Sequence, residues 1–93
     1  MNVTRPSEIR HLREMARRES AATMFRDRRS RLGSSAHILD IVRCLRDAFC
    51  LSLAEAKPVF ALTRSTDREI TDEAEFNRFV TREIEKHRPD WDK

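Results

Sequence analysis

Residues 38–60 constrain the fold most strongly, because this segment carries the clearest helical pattern in the chain. Its apolar side chains recur at steps of three and four residues, a spacing that places them on one face of an α-helix. This stripe consists of Ile38, Ile41, Val42, Leu45, Ala48 and Phe49. Ser52 and Glu55 then have the spacing of a capping box, which predicts a second helix from Leu53. We therefore expect a helical hairpin, with Pro58 as a kink in its second helix.

The N-terminal third predicts a helix that is either long or broken. Its helical pattern begins near Pro6 and runs to Leu32, and Gly33 is expected to end it in the left-handed conformation. A continuous helix of this length would extend about 40 Å, whereas a compact domain of 93 residues has a radius of gyration of about 12 Å. Its apolar stripes also rotate by about 140° partway along. The helix therefore either breaks near Ser20 or packs against a second body, such as the partner subunit of a homodimer.

The C-terminal part predicts one further helix, and no strand-like alternation of any length appears in the chain. The helical stripe consists of Phe76, Phe79, Val80 and Ile84. Pro89 is expected to end this helix, and Trp91 is expected to pack back onto the core. Ser34 or Ser35 is the expected N-cap of the helix that starts at Ile38.

Together these patterns predict one all-α domain over residues 1–93, with three to five helices and a central helical hairpin. Residues 1–33 form its Arg-rich N-terminal helical segment, and residues 34–93 form its helical core.

The charge of the chain is distributed unevenly. Residues 1–33 carry nine arginines and four acidic residues, whereas residues 34–93 carry ten basic and twelve acidic residues. Such an asymmetry indicates an anionic partner, which is either nucleic acid or the acidic surface of a protein. The candidate contacts with this partner are Arg10, Arg13, Arg17, Arg18, Arg28 and Arg29.

The sequence indicates no catalytic, cofactor or metal site. A chain with a single glycine has no Gly-rich phosphate loop, and no nucleophile stands with a base and an orienting group. The spacing of His11, His37 and His87 does not indicate a metal site. Cys44 and Cys50 point about 120° apart on a helix, so we expect free thiols in a reducing compartment. Without an apolar run long enough to span a bilayer, the expectation is a cytoplasmic protein that does not associate with membranes.

Part of the central segment resembles a known family. Val42-Arg43-x-x-Arg46 is followed by Leu51-Ser52-Leu53-Ala54-Glu55-Ala56-Lys57. This pattern over residues 38–60 is similar to the helical hairpin in the C-terminal domain of the bacterial ribosomal stalk protein family, where the hairpin recruits translation factors. The resemblance implies partner contacts at Leu39, Val42, Arg43, Arg46 and Lys57.

The leading functional prediction is a small non-enzymatic protein-interaction module. A bacterial or phage regulator or inhibitor that binds a larger protein with an acidic surface fits these features. One alternative is a nucleic-acid-binding regulator that uses the Arg-rich N-terminal helix. A second alternative is a stalk-like protein that binds translation factors.

Overall fold

The computed structural model describes residues 4–33, 37–64 and 69–92. Within these residues the regular secondary structure is helical, and an isolated antiparallel bridge pairs Thr63 with Ile70. The helices are α1 Pro6–Ala16, α2 Ala21–Leu32, α3 Ile38–Phe49, α4 Lys57–Ala61, α5 Glu73–Lys86 and α6 Arg88–Trp91. The all-α prediction is confirmed, but the described residues form six helices rather than three to five. The difference arises because α4 and α6 are short helices of five and four residues.

The N-terminal helical segment is broken between α1 and α2. Ser20 precedes α2 with extended backbone angles, and its hydroxyl accepts a hydrogen bond from the Thr23 N–H at 3.2 Å. Asn77 on α5 accepts a second hydrogen bond, from the Ala22 N–H to its Oδ1 at 2.8 Å. The N–H groups of Ala22 and Thr23 lie in the first turn of α2, where they have no partner within the helix. One local cap and one tertiary contact therefore stabilise the start of α2.

The break allows both apolar stripes of the N-terminal segment to enter one core. Leu12 of α1 and Phe25 of α2 are each 0% exposed. The Phe25 ring meets Phe76 of α5 edge-to-face, with a distance of 5.4 Å between ring centroids. The largest fully buried apolar side chains of the described residues are Leu12, Phe25, Ile41, Val42, Leu45, Phe49, Val59 and Phe76. Burial stabilises the fold by about 1.5–3 kcal/mol for each side chain of this size.

The segment that follows α3 does not form the predicted regular helix from Leu53. α3 packs against α1, α2 and α6, whereas α4 packs against α5. The predicted capping box is present, because the Ser52 and Glu55 N–H groups donate to each other's side chains at 2.9 and 3.1 Å. A regular helix does not continue from it, because Pro58 has no N–H to donate to the Ala54 carbonyl. The Lys57 N–H donates to that carbonyl instead, at 3.2 Å, and α4 begins only at this residue.

The observed helix ends partly differ from the predicted caps. Gly33 ends α2 with a positive φ of 86°, but its ψ of 176° is not that of the left-handed helical conformation. Cys50 adopts the left-handed conformation instead, at the end of α3, with φ 60° and ψ 34°. The N-cap of α3 is His37, whose N–H donates to Asp40 Oδ2 at 3.0 Å. The predicted caps Ser34 and Ser35 lie outside the described residues.

The C-terminal residues return to the core, as predicted for Trp91. α5 ends before His87, and Pro89 lies in the first turn of α6, where its missing N–H would have no intrahelical partner. Trp91 is 3% exposed, and its Nε1–H donates to the Ile84 carbonyl at 2.8 Å. The indole is therefore both packed and satisfied in its hydrogen bonding.

Candidate interaction surface

The α3 residues expected to contact a partner do not form one surface. Leu39 is 55% exposed, and the exposed Arg43 lies one helical turn further along. Val42 is 2% exposed, which corrects its assignment as a contact residue, because a side chain in the core offers no surface to a partner. Arg46 is half-buried, and its Nε donates to the Leu51 carbonyl at 3.1 Å, which stabilises the turn after α3. Leu39 and Arg43 are therefore the accessible members of this set on α3.

Two of the arginines expected to contact an anionic partner form ion pairs within the chain. Arg28 is 0% exposed. Its Nη2 lies 3.1 Å from Asp27 Oδ2, and its Nη1 lies 3.3 Å from Glu8 Oε1 on α1. Arg29 Nη1 lies 2.6 Å from Glu69 Oε1. Burial removes Arg28 from the candidate contacts, because its guanidinium has no surface that an external anion could reach.

Two further arginines, Arg13 in α1 and Arg17 just after it, also contact other groups of the chain. Arg13 Nε donates at 2.7 Å to the carbonyl of Ala48, which is one of the carbonyls that the last turn of α3 leaves unpaired. Arg17 pairs with Glu14 at 2.8 Å and also with Asp92. These arginines therefore hold α1 against the end of α3 and against the C-terminal residues.

Arg10 and Arg18 are the exposed members of the N-terminal set that have no carboxylate partner among the described residues. A cleft of about 440 Å³ lies beside Arg10. Its lining residues are Pro6, Ile9, Arg10, Arg13, Glu14, Arg17 and Trp91. The other charged residues of this lining already contact groups of the chain, whereas Arg10 has no such contact within the described part of the chain.

A second cleft, of about 300 Å³, lies between α4 and α5 and has a mostly apolar lining. Its lining residues are Lys57, Pro58, Ala61, Leu62 and Phe79. Phe79 is half-buried, whereas Phe76 and Val80 of the same predicted stripe are 0% and 2% exposed. Phe79 thus differs from its neighbours on α5, because part of its ring belongs to an accessible apolar surface.

Three cations that have no acidic partner among the described residues lie in the lining of this second cleft or beside its Phe79 ring. The Cζ atoms of Arg78 and Arg82 lie 5.4 and 5.2 Å from the centroid of the Phe79 ring, within the range of a cation–π interaction. Among the described residues, no carboxylate pairs with Lys57, Arg78 or Arg82. By contrast, carboxylates pair with Arg17, Arg26, Arg29, Arg31, Lys86 and Arg88. We refer to Lys57, Pro58, Ala61, Leu62, Arg78, Phe79 and Arg82 as the cation-rimmed cleft.

Glu55 ties the turn before α4 to the C-terminal end of α5. Its Oε2 lies 2.8 Å from both Lys86 Nζ and His87 Nε2. The hydrogen bonds from Lys86 and from the Ser52 N–H hold the pKa of the Glu55 carboxyl well below its usual range. The hydrogen bond with Glu55 raises the pKa of His87 above its usual value, against an opposing effect of desolvation. The same contacts that shift these pKa values therefore support the packing of α4 on α5.

The described residues contain no group of three or more His, Cys, Asp or Glu side chains placed to hold a metal ion. His37 caps α3, and His11 Nε2 lies 3.4 Å from Asp27 Oδ2 on α2. Cys44 is buried and Cys50 is exposed, and both are free thiols. None of the helices in the described part of the chain is long and apolar enough to cross a membrane.

Comparison with known proteins finds no matching family model, no matching curated protein and no matching solved structure. The resemblance of residues 38–60 to the ribosomal stalk family stays a prediction that depends on the residues alone.

The cation-rimmed cleft includes residues that the sequence-based candidates omit. Lys57 belongs to the predicted contact set, but the sequence pattern places Phe79 in the core stripe and assigns no role to Arg78 or Arg82. One signal was present in the sequence, because arginines four residues apart lie on one face of a helix on either side of Phe79. The position of α4 next to Arg78, Phe79 and Arg82 depends on tertiary packing, which cannot be predicted from a local sequence pattern.

Proposed function

We propose that this chain is a small non-enzymatic protein-interaction module that regulates or inhibits a larger protein with an acidic surface. The observation that supports this most directly is the cation-rimmed cleft, where an accessible apolar surface lies beside cations that have no carboxylate partner among the described residues. Protein interfaces combine an apolar centre with polar groups at the edge, and arginine is enriched among their dominant contacts. An acidic partner would supply the carboxylates that the described residues do not provide here.

The same features favour a protein partner over nucleic acid. Single-stranded nucleic acid binds to exposed aromatic faces on which bases stack, but two guanidinium groups already contact the ring of Phe79. Duplex binding depends on several cations that are free to neutralise phosphates. Of the N-terminal arginines, Arg28 is buried and Arg13, Arg17 and Arg29 contact other groups of the chain.

Leu39 and Arg43 provide a second candidate surface on α3. Leu39 is one of two large hydrophobic residues that are more than half exposed in the described part of the chain, at 55%. An exposed leucine beside an arginine has the composition of an interface edge. We propose that these residues either extend the contact made through the cation-rimmed cleft or bind a separate part of the same partner.

Affinity capture with paired charge-reversal variants tests this function. Immobilised protein is incubated with a nuclease-treated lysate of the source cells, and captured proteins are identified by mass spectrometry. The double variant Arg78→Glu/Arg82→Glu should reduce recovery of an acidic partner about tenfold or more, because truncating or reversing interfacial charges costs several kcal/mol. The matched control Arg10→Glu/Arg18→Glu, which also reverses two exposed arginines, should change recovery less than about twofold.

Two results would contradict the proposal. Equal losses in both double variants would show that recovery follows net charge rather than the cleft. Retention of arbitrary DNA or RNA that weakens steeply with salt, with a slope reduced by Arg10→Glu/Arg18→Glu, would favour the nucleic-acid alternative instead.

A further inference from the structure

We infer that the cation-rimmed cleft binds the apolar face of an acidic amphipathic α-helix supplied by the partner. This inference rests on the proposed function and adds the conformation and the charge pattern of the segment that enters the cleft. Its basis is the joint placement of an apolar floor from two helices and of three cations that have no acidic partner among the described residues.

The dimensions of the cleft fit a few side chains rather than a whole chain segment. Its volume of about 300 Å³ is at the small end of the range for ligand-binding pockets. Pro58, Ala61 and Leu62 line it from α4 or its C-terminal end, and Phe79 lines it from α5. A groove between helices of this kind accepts apolar residues spaced at i, i+3 or i+4, and i+7 on one face of a bound helix.

Backbone hydrogen bonding favours a helical occupant over an extended one. The cleft is lined mainly by side chains of α4 and α5, whose backbone groups are largely engaged within those helices or their turns. An extended peptide would therefore have to bury its own N–H and C=O groups against apolar side chains without partners, which is unfavourable. A helix satisfies these groups internally and can present an apolar face without this penalty.

The charges determine which helices can bind. Arg78 and Arg82 lie one turn apart on α5, so their Cα atoms are separated by about 6 Å along the helix axis. Carboxylates one turn apart on a bound helix have the same spacing and can accept bidentate hydrogen bonds from guanidinium groups. Lys57 adds a third cation, at the start of α4. Basic helices of the same amphipathic pattern would be repelled, so acidic flanks are part of the inferred specificity.

Selection from a peptide library tests this inference without knowledge of the natural partner. The probe is a displayed library of random peptides of about 16 residues, a length at which isolated helices begin to be stable in water. Peptides selected on the immobilised full chain should be rich in Asp and Glu, with apolar residues at i, i+3 or i+4, and i+7. Circular dichroism of the selected peptides should show a gain of helix when they bind.

A matched pair of substitutions locates the binding site. Ala61→Glu places a carboxylate in the cleft at an exposed position and should weaken selected peptides at least about tenfold. Ala74→Glu makes the same change at an exposed residue of α5 that does not line the cleft, and it should change affinity less than about twofold. The helical spectra of both variants should equal that of the unchanged protein, which verifies that the substitution has not unfolded it.

The inference is overturned if the selected peptides are basic, proline-rich or extended when bound, if no ligand is obtained, or if Ala61→Glu and Ala74→Glu have equal effects. Capture of an acidic partner that depends on Arg78 and Arg82, together with such a result, would leave the proposed function intact and reject only the helical occupant. If acidic helical peptides are selected and their binding is lost in Ala61→Glu, but no partner is captured from the lysate, the helix-binding role of the cleft is supported and the proposed function is contradicted.

Discussion

The indole of Trp91 packs edge-to-face on the ring of Phe49, with 5.0 Å between the ring centroids and 77° between the ring planes. This pair attaches α6, near the C-terminal end of the described residues, to the last residue of α3. The indole also donates a hydrogen bond to the Ile84 carbonyl on α5 at 2.8 Å. A single side chain thus connects α6 both to α5, which directly precedes it, and to α3, which is distant in the sequence.

Replacement of Trp91 by alanine should lower the free energy of unfolding by about 3–5 kcal/mol, because it creates a cavity and removes the aromatic contact. Trp91→Phe keeps a ring but loses the hydrogen bond to Ile84, so it should cost less than Trp91→Ala. Urea denaturation monitored by circular dichroism measures both changes. Leu53→Ala is the control, because Leu53 is 58% exposed and its loss should change stability by no more than about 0.5 kcal/mol. Equal effects at Trp91 and Leu53 would contradict the observed packing.

The buried Arg28 should tolerate an apolar substitute better than the loss of the carboxylate of Asp27, one of its two acidic partners. Asp27→Asn would leave the fully buried guanidinium with a neutral acceptor at this position, while Glu8 would remain 3.3 Å from Nη1. Because the Asp27 side chain is 21% exposed, the cost should be below the range of about 3–5 kcal/mol that holds for breaking a fully buried pair. Arg28→Met removes the charge together with its desolvation penalty, so its cost should be smaller, at about 1–2 kcal/mol or less. Urea denaturation of Asp27→Asn and Arg28→Met, compared at their midpoints, shows which substitution destabilises the protein more. If Arg28→Met is the more damaging change, the ion pairs of this guanidinium contribute less than its packing.

Stability should fall as the pH rises through the pKa of His87 in the folded protein. Because the hydrogen bond with Glu55 raises that pKa above its ordinary value of 6.5, the folded state binds more protons than the unfolded state in this interval. The contribution of His87 to the free energy of unfolding is fully present below pH 6.5 and is lost as the pH rises above the raised pKa. The pKa of Glu55 is lowered from 4.5, so its contribution is present above that pH and is lost as the pH falls toward the lowered value.

Urea denaturation between about pH 5.5 and 9 measures this dependence for His87. His87→Gln, which keeps a polar side chain but cannot titrate, should show a flatter profile than the unchanged protein. NMR titration of the imidazole should place its midpoint above the ordinary value for histidine. Superimposable pH profiles for the two proteins would show that the contact between Glu55 and His87 does not stabilise the fold.

Cys50→Gly should stabilise the protein. Cys50 adopts the left-handed conformation, which costs a residue with a Cβ atom about 1–2 kcal/mol relative to glycine, although glycine loses more entropy on folding. The net gain expected in the free energy of unfolding is about 0.5–1 kcal/mol. Cys50→Ser retains the Cβ atom and should give little or no gain, which makes it the matched control. Equal midpoints for all three proteins would show that the backbone at this position is not strained.

The stripe of α3 was predicted because its signal is local, and the hydroxyl that caps α2 is a local signal of the same kind that the sequence-based predictions did not use. The three- and four-residue spacing from Ile38 to Phe49 defines a helix with one buried face, and Ser20 has the hydroxyl that caps the helix after the break. Pro58 predicts a kink in the helix expected from Leu53. Its consequence is larger than a kink, because the regular helix begins only at Lys57, and α4 packs against α5.

The functional surface was less predictable, because exposure and ion pairing depend on how the helices are oriented. Val42 and Arg43 are neighbours in sequence, yet one is 2% exposed and the other lies on the surface. Arg28 and Arg10 look equivalent in an Arg-rich segment, but Arg28 is enclosed between helices and Arg10 is exposed.

The sequence by itself determined the helical class, the apolar face of α3 and the return of Trp91 to the core. These follow from side-chain spacing or from a lone large aromatic residue, which act over a few residues or through hydrophobicity alone. For the N-terminal segment the sequence left two alternatives, and the structure decided between them in favour of the break before α2. Only the tertiary structure decided which arginines are neutralised, and it placed α4 beside Phe79, Arg78 and Arg82. Ion pairs such as Arg17 with Asp92 join residues far apart in the chain. Whether a cation stays available to a partner therefore depends on the packing of the helices, and not on the residues next to it.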